Sequence, residues 1–281
     1  MPRHAQQTSH PEPLISRWLA ASGHQKTTHL ALHSLVQGPI IISAPATGTS
    51  ELTNPSLIPH SQPGFYVFNG DHGQLQSLLS ADHSIIVHDP TSAAPILATR
   101  DLDPPPHTII DICAGKGTKT RLLARLHPCA KIVATDIDRV RLAILREQFA
   151  GHQHVKVIEY DNLREHAGKT DLLLLDVPCS NSGVLARRVE AKYRLDRTSL
   201  EKLVDVQRQL IADSILLLAP RGKLVYCTCS IDAMENEQQA QWIAKWHRMK
   251  IVASASRLPN GLPGESPTEY YDGGYWSLIA R

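Results

Sequence analysis

The sequence predicts an α/β fold, a mostly parallel sheet covered by helices behind a smaller α+β lobe. Three observations carry that expectation. Beyond residue 107, short apolar runs alternate with helical stretches, which is the pattern of βαβ units. The first of these runs closes on a turn rich in small residues, Asp111-Ile112-Cys113-Ala114-Gly115-Lys116-Gly117-Thr118-Lys119-Thr120. Acids and cysteines then recur just past the later runs, where parallel strands deliver their ends to one crevice.

Residues 1–12, rich in Gln, His, Ser and Pro, read as a disordered start. Residues 12–35 are patterned as a helix with Leu14, Ile15, Trp18 and Leu19 on one face. Gly38-Pro39 ends it, and residues 40–42 read as a strand. Residues 44–63, rich in Pro, Ser, Thr and Asn, read as a loop. Strands at 65–68 and 84–87 flank a helix at 74–79, so 13–100 is expected to form the small lobe, a possible RNA-binding one. Asp103-Pro104-Pro105-Pro106 marks the boundary of a second domain, 101–281. Within it, strands are expected at 108–112, 131–135, 155–158, 172–175, 223–227 and 275–280. Helices are expected at 118–126, 138–149, 198–218 and 235–246.

Of 281 residues, 42% are hydrophobic and 20% charged, the balance of a soluble globular protein. No apolar run approaches the roughly 18 residues of a membrane span, and Met1-Pro2-Arg3-His4 opens no secretory signal. Five cysteines, three of them in or beside motifs, favour a reduced cytoplasmic protein over a disulfide scaffold. A net charge of +2 permits a nucleic-acid partner without demanding one. Only four of the 29 Lys and Arg fall in residues 1–100, so a phosphate-binding surface is expected in the remainder. Nine of the 15 histidines lie in residues 1–100, but without metal-ligand spacing; they read as surface residues, and no metal is expected.

Glycines in the turn at 111–120 let backbone approach a ligand at a helix N-terminus. The turn is neither a P-loop nor a complete dinucleotide fingerprint. Asp136, at the end of the second strand, is placed to accept ribose hydroxyls, and Asp161, after the third, to reach an adenine amino group. Either acid could instead cap a helix or turn. The constellation fits S-adenosylmethionine at least as well as NAD.

Asp176-Val177-Pro178-Cys179-Ser180 and Tyr226-Cys227-Thr228-Cys229-Ser230 each follow an apolar run. Two thiols at neighbouring strand ends suit a reaction in which one sulfur attacks and a second group helps the product leave. C5-methylation of cytosine is such a reaction, because a thiolate adding to C6 makes C5 nucleophilic. Asp176 could hold the cytosine N3/N4 edge. Cys129 and Cys227 read as small buried hydrophobes, and Cys113 as lining the cofactor turn.

These motifs resemble the RNA 5-cytosine methyltransferases of the NOL/NOP/Sun type, and most closely the bacterial members that modify 16S ribosomal RNA. That family's Asp-x-Cys-Ala-Ala-Pro-Gly-Gly-Lys-Thr is matched by residues 111–120, and its Asp-Ala-Pro-Cys-Ser-Gly-x-Gly by 176–183. Its Ala-Thr-Cys-Ser is matched at 227–230, followed by Glu235-Asn236. The family's terminal Asp-Gly-Phe-Phe-x-Ala resembles 272–280, and its Gln-Asp-x-x-Ser resembles His88-Asp89-Pro90-Thr91-Ser92. The resemblance covers 84–281 well and 12–83 faintly. It implies a class I S-adenosylmethionine-dependent methyltransferase fold, Rossmann-like, parallel except for an antiparallel last strand. It also implies Cys229 as nucleophile and Cys179 as the group assisting release, a ranking that spacing alone does not supply. The cofactor would be held by Asp111, Cys113, Ala114, Gly115, Lys116, Gly117, Thr118, Lys119, Asp136, Asp161 and Asp176. Lys116, Thr118, Asn181 and Ala186 depart from the family pattern.

Arg187, Arg188, Lys192 and Arg194, with Tyr193 among them, follow the Cys179 loop and are the expected RNA contacts. They could instead be a solvated face with Glu190 and Asp196 as partners. The expected protein is a monomeric RNA (cytosine-5) methyltransferase acting on ribosomal RNA, with transfer RNA as the nearest alternative substrate. A non-catalytic RNA-binding assembly factor on the same fold and an NAD-dependent oxidoreductase are the rivals. The latter leaves both cysteine motifs unexplained.

Overall fold

The computed structural model describes residues 8–44 and 54–281; residues 1–7 of the expected disordered start and 45–53 of the expected loop lie outside it. Helix α1 (Glu12–His33) is broken at Gly23, whose φ of 72° and ψ of 179° no helix interior accepts, where one continuous helix was expected. Leu14, Ile15 and Trp18 of its first half bury against Leu185, Ala191 and Leu195 of the segment after Cys179. Strands β1 (Ile40–Ser43), β2 (Leu57–Pro59), β3 (Phe65–Phe68) and β4 (Ile86–Val87) form an antiparallel sheet in the order β2-β3-β1-β4. β2 lies in the stretch expected as loop. It is a short edge strand ending on Pro59, so the sequence around it carries turn residues rather than strand patterning.

Asp71 starts α2 (His72–Ala81) through a capping box with Gln74. Sequence patterning misses α3 (Pro90–Leu97), because Pro90 and Pro95 read as breakers. Pro90 stands in the first turn, where no intrahelical N–H is needed, and Asp89 caps the Thr91 amide. Ala93 and Ile96 then bury completely on the main core.

That core belongs to a second sheet of seven strands, β5 (Thr108–Asp111), β6 (Lys131–Ala134), β7 (Val155–Val157), β8 (Thr170–Asp176), β9 (Leu218–Thr228), β10 (Lys250–Arg257) and β11 (Gly274–Ala280). Their order is β10-β11-β9-β8-β5-β6-β7. β9 through β7 pair in parallel, and β11 runs antiparallel between β9 and β10, giving the expected reversed last strand. β10 is unexpected: an exposed edge strand of Ala and Ser has no apolar alternation to reveal it.

Helices α4 (Thr118–Leu126) and α5 (Arg139–Gln148) cover one face of this sheet, and α6 (Arg197–Ser214) and α7 (Glu237–Trp246) the other. β8 shows why the sheet is central. Leu172 and Leu174 join the first core, Leu173 and Leu175 the second, and all four are fully buried. Each such side chain contributes roughly 2 kcal/mol of burial.

Two expectations about single residues are corrected. Cys129 is exposed, because it sits in the turn between α4 and β6 rather than in either element. His10, His33, His60 and His88 are buried rather than on the surface. Each has a place inside: His10 on Ser34, His60 on the Tyr270 carbonyl, His88 on Ser43, and His33 stacked on Tyr270 at 5.0 Å.

Candidate active site

β5 delivers Asp111 to the end of the sheet, fully buried. Past it the chain reverses through Gly115 and Gly117, at φ 59° and 88°, left-handed values that glycine adopts without strain. A Cβ on Gly117 would also lie 2.6 Å from Phe149 and 2.8 Å from Leu145. The turn is tied to β6: the Ala114 amide donates to the Thr135 carbonyl at 3.0 Å, and the Gly115 amide to Asp136 Oδ2 at 2.8 Å. The other Asp136 oxygen accepts the Asp138 amide at 2.9 Å, so this acid does hold a turn as well. Thr120 in the first turn of α4 donates to Asp111 Oδ2 at 2.7 Å, while Asp111 Oδ1 is buried without a partner. Burial, against the Thr120 hydrogen bond, pushes the Asp111 carboxyl up to about 7.

Burial also raises the Cys113 thiol, and the carboxylates of Asp111, Asp176 and Asp136 raise it further. Three of the four predicted acids therefore act on one volume. Asp161 stands apart, exposed on a 3₁₀ turn (Tyr160–His166). Lys116 is exposed and Thr118 half-buried at the start of α4.

Next along the sheet, Asp176 Oδ2 accepts Lys119 Nζ at 2.7 Å. Burial alone would lower the Lys119 ammonium, but Asp176 outweighs it and holds the group charged. Asp176 pairs in register with Cys227, so the two cysteine loops leave adjacent strands side by side. Cys179 Sγ and Cys229 Sγ lie 3.1 Å apart. Cys179 is buried, and its hydrogen bond to Cys229 followed by desolvation drives its thiol well above the ordinary range. Cys229 is the more accessible sulfur. Its thiol donates to Asn181 Oδ1 at 3.2 Å, and Asn181 Nδ2 donates to the Cys179 carbonyl at 3.0 Å. Asn181 has φ 58°, a conformation asparagine tolerates better than most residues, which accounts for its standing in the place of a glycine.

A buried carboxylate holds both loops. Glu235 accepts the Ser180 amide at 2.9 Å, the Ser180 hydroxyl at 2.5 Å, the Ser230 hydroxyl at 2.6 Å and Gln207 Nε2 at 3.1 Å. Neighbouring Asn236 accepts the Thr228 hydroxyl and donates to the Ser230 carbonyl at 2.8 Å. Gly183 crosses between the loops, its amide donating to the Cys229 carbonyl at 2.9 Å and its carbonyl accepting the Gly273 amide at 2.7 Å.

The predicted basic cluster divides. Arg187 donates to Asp272 at 2.8 Å and to the Pro39 carbonyl at 2.9 Å, over the Tyr270 ring. Lys192 is buried and donates to the Ser9 carbonyl at 2.9 Å. Arg187 thus joins the small lobe to the rest of the chain, while Lys192 holds Ser9 of the segment before the lobe, expected as disordered. Arg194 faces solvent beside Glu190 at 3.6 Å, the partner foreseen for a solvated face, and Arg188 is exposed.

Residues 98–261, more than half of the chain, match the family described as 16S rRNA methyltransferase RsmB/F. The chain belongs to that family. It is 28% identical over 276 residues to ribosomal RNA small subunit methyltransferase B of Vibrio cholerae, spanning 94% of this chain and 58% of that protein. It is 30% identical over 190 residues to ribosomal RNA small subunit methyltransferase F of Serratia proteamaculans, spanning 64% of this chain and 40% of that one. The chain thus spans about half the length of the curated relatives it matches. A crystal structure of a methyltransferase homolog protein from Pyrococcus horikoshii shares the fold, with a TM-score of 0.76 at 20% identity over 99% of this chain and 97% of that chain.

Within this RsmB/F-family fold, sequence reasoning did not anticipate the parts played by Gln207, Asn181 and Glu235. The signal for Glu235 was present. An acid five residues past Cys229-Ser230, at the start of a helix, can turn back only onto the loop it has just left.

Proposed function

We propose that this chain transfers the methyl group of S-adenosylmethionine to C5 of cytosine in RNA, with ribosomal RNA as the substrate class and transfer RNA as the nearest alternative. The observation that carries this reading is the pair of sulfurs 3.1 Å apart beside a turn ringed by carboxylates. A volume on which three acids act suits a donor that bears a sulfonium and an ammonium group. In this reading Asp136 accepts the ribose hydroxyls. Ile137 beside it, 77% exposed, offers an apolar surface to a purine. When bound, the cofactor supplies an electrophilic methyl group; the glycine turn at 115–117 and the acids at the strand ends would hold it.

In this reading residues 101–281 are the catalytic domain and 13–100 the lobe beside it. Cys229, the accessible sulfur, bonds to C6 of the base and raises the electron density at C5. Asp176, held by Lys119 at 2.7 Å, faces the amidine edge of the ring. After methylation the C5 proton passes to water, and its electron pair restores the C5–C6 double bond as the C6–S bond breaks and the sulfur leaves as thiolate. Cys179, held as a thiol at 3.1 Å, stabilises the departing sulfur by hydrogen bonding. A non-catalytic assembly factor on the same fold would leave this paired arrangement without a use.

The test is the phenotype of each cysteine on RNA carrying cytosine. Cys229→Ala should abolish methyl transfer and form no adduct. Cys179→Ala should form a protein–RNA adduct that survives denaturing electrophoresis. An adduct trapped by Cys229→Ala would reverse the roles, and full activity in either variant would sink the mechanism.

A further inference from the structure

Arg187 and Lys192 have intramolecular partners, so of the predicted cluster only Arg188 and Arg194 stay exposed, and further positive surface lies elsewhere on the chain. Residues 214–231 and 238–257 hold no Asp or Glu but six cations: Arg221, Lys223, Lys245, Arg248, Lys250 and Arg257. Among the described residues none of the six enters a salt bridge. Arg257 lies over the Tyr271 ring at 4.2 Å, at the far end of β10. The other five gather at the end of the sheet away from the cysteines. Lys223 on β9 pairs with Ala280 on β11, and Ala280 with Lys250 on β10. Two strand spacings of about 4.8 Å therefore separate the two lysines across one row. α7 starts near the cysteine loops and runs about 15 Å to the opposite end, where it presents Lys245 and Trp246. Trp246 is 68% exposed, its ring 6.5 Å from that of Trp242.

The end of α7 adds a second observation. Arg248 has φ 53°, the left-handed position where glycine is the default, while the Met249 amide closes the turn on the Ala244 carbonyl at 3.0 Å. A strained cation occupies a place where glycine would relax the turn, two residues before Lys250. The acid in the last turn of α6, Asp213, lies near enough to Tyr160 to act on its hydroxyl.

We propose that this rim, Lys245, Trp246 and Arg248 at the end of α7 with Arg221, Lys223 and Lys250 at the same end of the sheet, is a second RNA-contacting surface. It grips the phosphate backbone of a segment remote from the nucleotide at the cysteines, and Trp246 stacks on an unpaired base. An exposed indole among unpaired cations matches a polyanion with flat aromatic bases. The proposal rests on the RNA reading given above.

The test is fluorescence anisotropy with a labelled 16S rRNA transcript across a KCl titration. One variant combines Lys245→Ala, Arg248→Gly and Lys250→Ala; the glycine keeps the helix end intact. The slope of log affinity against log salt should become shallower by about two to three units, with affinity falling at least about 10-fold at fixed salt. Trp246→Ala should weaken binding about 10-fold with the slope unchanged. S-adenosylmethionine affinity by calorimetry should stay at the wild-type value in both. Wild-type protein that binds RNA with variants of equal slope and affinity would overturn the rim. Wild-type protein that binds no RNA would overturn the RNA reading itself.

Discussion

Glu235 is the carboxylate on which both cysteine loops turn, and it shows how much one buried acceptor can fix. Burial raises its carboxyl, while the hydroxyls of Ser180 and Ser230 and the Ser180 amide oppose that shift. Glu235→Ala leaves four donors facing an apolar void, each costing about 1–3 kcal/mol if no water replaces the oxygen. The net loss of stability should be at least about 3 kcal/mol by chemical denaturation, and thiol alkylation of Cys229 should change with it. Glu235→Gln, which keeps one acceptor in place, should lose less. Equal losses in the two variants would show that volume, not hydrogen bonding, is what the site requires. The serines after each cysteine were legible only as polar neighbours. Glu235 was within reach of Ser230, five residues before it, but its link to Ser180 was not legible, because 55 residues separate them.

At the scale of elements, the site is made where β8, β9 and the chain leading into β11 converge. Gly183 is the crossing point. A Cβ there would lie 2.6 Å from the Gly273 carbonyl oxygen and 2.8 Å from that of Cys229, and backbone cannot step aside as a side chain can. Gly183→Ala should therefore destabilise the fold by about 2–3 kcal/mol and separate the cysteine loops. Gly115→Ala should cost only about 1–2 kcal/mol, since its Cβ meets open space and only the left-handed φ of 59° is strained. Thermal melts that rank the two variants in the opposite order would show that the crossing can relax. The elements themselves were largely legible, as the alternating apolar runs placed β5, β6, β7, β8 and β11 within a residue or two of their ends. What escaped were elements whose local chemistry argues against them: α3 with its two prolines, the edge strand β10, and β2.

For the whole molecule, the small lobe and the large sheet meet beside the site. Arg187, Asp272 and Tyr270 form the joint, with Tyr270 donating to Asp272 at 2.7 Å and the Asp272 amide to Asp89 at 3.1 Å. Burial, then the charge of Asp272, pushes the Asp89 carboxyl up to about 7. Asp111 is likewise raised to about 7, so stability as a whole should depend on pH. A raised carboxyl favours folding while protonated. Its contribution is complete below about pH 4, where the unfolded chain is also protonated, and is lost as pH rises towards 7. Buried His33 and His88, lowered to about 4 and about 3, work in the opposite sense, but they are common to wild type and variant. Asp111→Asn should thus gain stability over wild type between about pH 4 and pH 8. Denaturation curves whose difference is the same at both pH values would exclude an ionised Asp111 as the cause.

By itself the sequence determined the apolar core of the large sheet, the C-terminal ends of its parallel strands, and that the paired cysteines and most of the acids stand at those ends. These follow from periodicity, from glycine at left-handed turns, and from motifs within ten residues of one another. Only the tertiary structure decided which groups meet. It set the Asp176–Cys227 register that brings two sulfurs to 3.1 Å, and assigned Arg187 to the joint between lobes and Lys192 to the N-terminal segment. Among the described residues it also left Lys245 of α7 and Lys250 of β10 without a salt bridge at the opposite end of the sheet. The physical reason is that burial and turn conformation are imposed locally, residue by residue. Pairing across parallel strands is chosen by the packing of whole layers, and no short window of sequence contains it.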